Sequence, residues 1–129
     1  MKVLGTDFVA YQVSDLDRAV AFYRDILGLH MEVCKKEWDW AEFNCGNITL
    51  TLYGGAKLPE WVPGGRIALA VADVHAAYAE LKQKDIRILK PPYELSYCWH
   101  LEILDPDANL VIIHQRKDGT VGQETEKRR

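Results

Sequence analysis

One stretch of this chain constrains its fold more than any other, because it occurs twice. Phe8 to Leu29 reads FVAYQVSDLDRAVAFYRDILGL, and from Arg66 the chain reads RIALAVADVHAAYAELKQKDI. Set one under the other, Val13-Ser14-Asp15-Leu16 falls on Val71-Ala72-Asp73-Val74, Ala19 on Ala77 and Tyr23 on Leu81, an offset of 58 (71 − 13). Two copies are too few for a solenoid, so the period predicts two like modules in pseudo-symmetric pairing.

Each copy switches periodicity in the same way. Val9, Tyr11 and Val13 alternate with Phe8, Ala10 and Gln12, the pattern of a strand with two unlike faces. Ser14 or Asp15 then caps a helix whose apolar stripe is Leu16, Ala19, Val20, Tyr23, Ile26 and Leu27, and Gly28 suits a left-handed stop. In the second copy Ile67, Leu69 and Val71 alternate with Arg66, Ala68 and Ala70, Asp73 caps, and Val74, Ala77, Tyr78 and Leu81 form the stripe. Three further strand candidates follow each helix: 30–34, 38–44 and 47–53 in the first half, and 86–89, 98–104 and 109–115 in the second. The fold class read from this is α+β, with two tandem βαβββ modules forming a cupped, partly open mixed β-barrel with helices outside. The Gly/Pro-rich GGAKLPEWVPGG reads as a linker, with Trp61 as its anchor, and KPPYELSY reads as a loop. The expected organisation is one domain over 1–117, with modules at about 5–54 and 64–116, a linker at 54–65, and a disordered polar tail at 118–129.

Charge and cysteine content narrow the function classes. A formal charge of −3 gives no general pull toward nucleic acid or anionic membrane. No apolar run is long enough to span a bilayer, and no signal-peptide core opens the chain. Cys34, Cys45 and Cys98 are odd in number and widely spaced, which suits a reducing cytoplasm and small half-buried hydrophobes better than a disulfide framework or zinc knuckle.

The segments VSDLDRAVAFYRDILGL, IALAVADVHAAYAEL and DPDANLVIIHQ resemble the vicinal oxygen chelate superfamily, the glyoxalase/bleomycin-resistance/extradiol-dioxygenase group. The resemblance covers nearly all of the chain before the tail. It implies the paired-module fold and a homodimer, but no single activity, because that fold hosts isomerases, dioxygenases, thiol transferases and binding proteins. Metal-dependent members carry a His at the head of each module's first strand and a Glu or His on each module's last strand. At those four positions this chain has Phe8, Thr51, Arg66 and Ile112. Phe and Ile offer no lone pair, Arg is a permanent cation, and a lone hydroxyl is a poor ligand. The resemblance therefore carries over no metal chemistry, and no cofactor is expected.

Strand parity identifies what stands there instead. In LEILDPDANLVII, a turn at Asp105-Pro106-Asp107-Ala108 sets Leu104 opposite Leu110, Glu102 opposite Ile112 and His100 opposite His114, with Leu101, Ile103, Val111 and Ile113 toward a helix. In WDWAEFNCGNITLTLY, a two-residue Cys45-Gly46 loop sets Trp40 opposite Thr51, Glu42 opposite Thr49 and Trp38 opposite Tyr53, with Ala41, Phe43, Ile48 and Leu50 toward a helix. The expected ligand-binding set is Phe8, Gln12, Trp38, Trp40, Glu42, Thr51, Tyr53, Arg66 and Ile112, with Thr49 beside them. Aromatic faces with a few convergent polar groups suit a small planar or cationic molecule, and Arg66 suits a carboxylate or phosphate. His30 and His75 read as surface residues.

Two function classes stay open at this point. The first is a metal-independent binding protein that sequesters a planar aromatic or cationic compound, as the bleomycin-resistance branch does. The second is a lyase-, isomerase- or dioxygenase-like enzyme using His100, Glu102 and His114 as acid/base groups or as a displaced site for a divalent metal.

Overall fold

In the computed structural model, which describes Lys2, Leu4 and residues 8–54 and 65–122, the chain divides into two units, residues 1–64 and 65–129. The first unit runs β1 (Phe8–Val13), α1 (Leu16–Ala21) continued by a π-helical turn (Phe22–Ile26), β2 (His30–Lys35), a 3-10 turn (Lys36–Trp38), β3 (Trp40–Asn44) and β4 (Thr49–Gly54). The second runs β5 (Arg66–Ala70), α2 (Val74–Leu81), β6 (Arg87–Glu94), β7 (Cys98–Leu104) and β8 (Leu110–Arg116). Each unit is one four-stranded mixed sheet, ordered β1-β4-β3-β2 and β5-β8-β7-β6. In both, the first strand runs parallel to the last and the other pairs are antiparallel. The repeat in the sequence is thus a repeat of topology: βαβββ twice.

The caps fall where the repeat puts them. Asp15 accepts from the Arg18 amide at 3.0 Å, and Asp73 from the amides of His75 and Ala76 at 2.9 and 3.2 Å. Each carboxylate satisfies donors that the first helical turn leaves without a partner. Gly28 closes the first helix at φ 71°, the left-handed region that glycine enters without strain. The two helical segments otherwise differ. Leu27 N–H reaches back to the Phe22 carbonyl at 3.1 Å, so the last turn of the first is wider than α. This brings the consecutive Phe22 and Tyr23 both into the core, where Tyr23 meets Phe22 edge-on at 5.0 Å and Phe43 at 6.0 Å. The expected stripe left Phe22 out, and the structure adds it to the buried face beside Tyr23.

The helix-facing side of each sheet is largely apolar, with Gln115 at the end of β8 accepting from the Val74 amide of α2 at 2.8 Å. Tyr11, Val13, Ala41, Phe43, Leu50 and Leu52 are buried in the first unit, and Ile67, Leu101, Ile103, Val111 and Ile113 in the second. The β7–β8 hairpin has the expected register, with His100 opposite His114 and Glu102 opposite Ile112. Asp105 fixes its turn by accepting from the amides of Asp107 and Asn109, both at 2.8 Å, and from Asn109 Nδ2 at 2.9 Å.

Four expectations need correction. The β3–β4 connection is Cys45–Ile48, closed by Cys45 N–H to the Ile48 carbonyl at 3.0 Å, not a two-residue Cys45-Gly46 loop. Trp40 therefore faces Tyr53 and Glu42 faces Thr51, two residues along from the expected pairs. A shift of two leaves every side chain on its expected face, because the strand period is 2. Trp38 is not on β3. Lys35 pairs with Trp40, which leaves only Lys36 to Asp39 to reverse the chain, so Trp38 sits in the turn, 68% exposed. The alternation of WDW imitates a strand, but the left-handed Asp39 (φ 49°) breaks it. The third correction is KPPYELSY: Lys90-Pro91-Pro92-Tyr93-Glu94 belongs to β6. That strand lies at a sheet edge and is irregular between Ile88 and Tyr93, the setting in which a ladder tolerates prolines. Finally, Asp118–Gly122 is not tail. Thr120 is buried and donates to Asp118 Oδ1 at 2.6 Å, and Arg116 reaches Thr120 Oγ1 at 3.2 Å and the Gly122 carbonyl at 3.1 Å. Trp61, the rest of the linker between Gly54 and Gly65, and residues 123–129 lie outside the described residues.

Candidate functional site on the second sheet

Pairing places Arg66, Leu110, Ile112, His114, Cys98, His100 and Glu102 on the side of the second sheet away from α2. Tyr93 and Lys90 join them from β6, opposite His100 and Glu102. The polar members converge. Tyr93 Oη donates to Glu102 Oε2 at 2.6 Å and lies 3.2 Å from His100 Nδ1. Lys90 Nζ is 3.7 Å from the same Glu102 oxygen. The His100 and His114 rings meet edge-on with centroids 5.0 Å apart. The donor atoms of Cys98, His100 and His114 all lie within 4.8 Å of one another, and all three residues are half-buried.

Glu102 is only 8% exposed. A carboxylate so placed needs partners, and Tyr93 and Lys90 supply them. The hydrogen bond to Glu102, reinforced by burial, pushes the Tyr93 phenol up to about 12, and Arg66 opposes that rise. Tyr93 has one proton to donate, and Glu102 takes it. Toward His100 the phenol oxygen can then only accept, so the contact at 3.2 Å is one in which His100 Nδ1–H donates. Beside this cluster, a cavity of about 320 Å³ opens between the ends of β5 and β8 and the turn after β8, with His114 in its wall.

The remaining expected residues sit on the first sheet. Phe8, Gln12, Trp40, Glu42, Thr49, Thr51 and Tyr53 share the side away from α1. Trp40 Nε1 donates to Glu42 Oε2 at 2.9 Å, and the Trp40 and Tyr53 rings lie 6.4 Å apart. Phe8 is 54% exposed at the start of its strand, and Thr51 is buried. Trp38 is separated from this group by the turn described above. His30 and His75 are exposed, as expected, but the His75 ring rests edge-on against Trp99 at 4.8 Å.

Sequence reasoning passed over Tyr93, Lys90 and Cys98. Tyr93 and Lys90 lay in a segment whose prolines read as a loop. Cys98 was read as a small hydrophobe, although Cys98-His100-Glu102 alternates at period 2 and so already lay on one strand face.

A twice-used βαβββ unit with a polar face on its second sheet defines a class of small two-module proteins. Residues 5–113 match the Glyoxalase/Bleomycin resistance protein/Dioxygenase superfamily, and the chain belongs to that superfamily. Among proteins it is similar to, the uncharacterized protein YraH of Bacillus subtilis is 26% identical over 118 residues, covering 80% of this chain and 91% of that one. A lactoylglutathione lyase from Agrobacterium tumefaciens superposes with TM-score 0.73 at 23% identity, covering 89% of this chain and 96% of that one. A glyoxalase family protein from Bacillus anthracis superposes with TM-score 0.76 at 18% identity, covering 91% and 98%. At these identities the superpositions establish the fold. The superfamily implies a metal in some members, but Phe8, Thr51, Arg66 and Ile112 do not fit one: two are hydrocarbon, one is a cation, and Thr51 is a buried lone hydroxyl.

Proposed function

We propose that this chain is a small-molecule-binding protein whose working surface is the polar face of the second sheet, and that it uses no metal at Phe8, Thr51, Arg66 and Ile112. The observation that carries this reading is the buried Glu102 held by Tyr93, with His100 on the same phenol. Such a chain of groups accepts or donates a proton over a short distance, as acid/base work on a bound molecule requires. Exposed Arg66 on the same face suits an anionic arm. The molecule expected is small and polar, with an anionic group and an exchangeable proton.

The second reading is capture of a planar or cationic compound on the first sheet, and the Trp40–Glu42–Tyr53 group favours it. It comes second because Trp38, one of the two tryptophans of the expected aromatic surface, lies off the strand. A thermal-shift and fluorescence screen of small carboxylates, phosphates and planar cations separates the two. Hits lost in Glu102→Gln and Arg66→Ala but kept in Trp40→Ala support the first reading, and the reverse pattern sinks it. The reading also takes the protein to be a cytoplasmic homodimer, the assembly being measured by light scattering. Among the described residues, no helix is long and apolar enough to cross a membrane.

A further inference from the structure

We infer that Cys98, His100 and His114 form a site for a borderline-soft transition metal, zinc(II) by preference, with one coordination position left open. The inference rests on the second-sheet face being the working surface, but it concerns a different ligand and is tested separately.

Three observations carry it. First, the residue types fit: a thiol and two imidazoles are the donors that zinc prefers over oxygen-only sets. Second, the topology fixes them. His100 and His114 are direct cross-strand partners, and Cys98 is two residues before His100, on the same face. Their donor atoms lie within 4.8 Å of one another, while donors around a tetrahedral zinc stand about 3.3–3.7 Å apart given its bond lengths. Rotation of half-buried side chains by about 1 Å at the tip closes that gap.

Third, the site has an outer shell. Metal-bound histidines characteristically donate their second ring N–H to a fixed acceptor, which sets the tautomer and aims the lone pair. Here Tyr93 provides the acceptor and Glu102 fixes Tyr93, so His100 is left with Nε2 as its ligating atom. Glu102 itself, a ligand in the sequence-based alternative, is engaged by Tyr93 and Lys90, and Cys98 takes its place in the donor set. Three protein donors leave a fourth position for water or for an oxygen of the bound molecule, the arrangement of catalytic rather than structural zinc. Of the three donors, His114 also borders the 320 Å³ cavity. Binding would deprotonate Cys98 and so strengthen with pH.

Cobalt(II) titration of the tag-free full-length chain under reducing conditions tests this. The expected result is saturation at one ion per chain, with tetrahedral d–d bands, a thiolate-to-cobalt charge-transfer band, and bleaching by one equivalent of zinc(II). Cys98→Ser should remove the charge-transfer band, and His114→Gln should weaken binding at least tenfold. Tyr93→Phe should weaken it about tenfold, as expected for an outer-shell partner. Far-UV circular dichroism of each variant confirms the fold. Failure to saturate at micromolar cobalt would overturn the site, as would a charge-transfer band that survives Cys98→Ser and so belongs to Cys34 or Cys45. The small-molecule screen, run on metal-free protein, stands or falls independently of this result.

Discussion

Tyr93 Oη donates to Glu102 Oε2 at 2.6 Å across the β6–β7 pair, from a strand that carries two prolines. The irregular edge makes this contact possible. It shifts the register between Lys90 and Tyr93, so that the two face Glu102 and His100 in turn. Tyr93→Phe keeps the ring and deletes the donor, leaving a nearly buried carboxylate with Lys90 at 3.7 Å. A loss of about 1–3 kcal/mol is expected, read from the urea midpoint. In Glu102→Gln the amide oxygen still accepts from Tyr93, so that variant should lose less. Equal losses in the two would show that the pair contributes only packing.

The hairpin turn offers a gain of stability. Ala108 sits at φ 66°, where a Cβ is strained and glycine is not. Ala108→Gly relieves a left-handed penalty of roughly 1–2 kcal/mol and adds about 0.5–1 kcal/mol of chain entropy cost. A net stabilisation of about 0.5–1 kcal/mol should appear in chemical denaturation. In the same turn Asp105→Ala strips three hydrogen bonds from a buried loop and should cost about 2–3 kcal/mol.

Trp38 should be energetically silent. It is 68% exposed on a 3-10 turn, so Trp38→Phe should change stability by less than about 0.5 kcal/mol. It should also leave the binding of any screened compound unchanged. A compound that loses affinity in this variant would place the turn in the binding surface.

The wide turn after α1 makes a sharper demand on the core. Phe22 and Tyr23 are adjacent and both buried. Each changed singly to alanine should cost about 3–5 kcal/mol. A nearly neutral result for either variant by thermal melting would show that its ring does not pack in the core.

The positions implied for a metal by family resemblance give a final contrast. Thr51→Ala and Ile112→Ala should leave the metal content of the purified protein as it is in the parent, measured by elemental analysis. A drop in bound metal in Thr51→Ala would return the metal to the family's usual place.

Much of this protein follows from local chemistry that a sequence displays. The period-2 and period-3.6 patterns repeat at 58 residues (71 − 13), the capping aspartates begin both helices, and both hairpins keep their expected faces. These features depend on neighbouring residues, or on a parity that survives even a register shift of two. Only the tertiary structure decided the rest. The length of the Cys45–Ile48 turn, the loss of Trp38 to a turn, and the entry of Lys90–Glu94 into an edge strand depend on where partner strands begin and end. Pairing energy along a whole strand outweighs the local preference of two prolines or the local alternation of WDW. The meeting of Tyr93 with His100 and Glu102 depends in turn on the β6 register, whereas the pairing that sets Cys98 and His100 beside His114 was legible in the turn at Asp105–Ala108. No pattern within one segment encodes which residues two other strands will set opposite it.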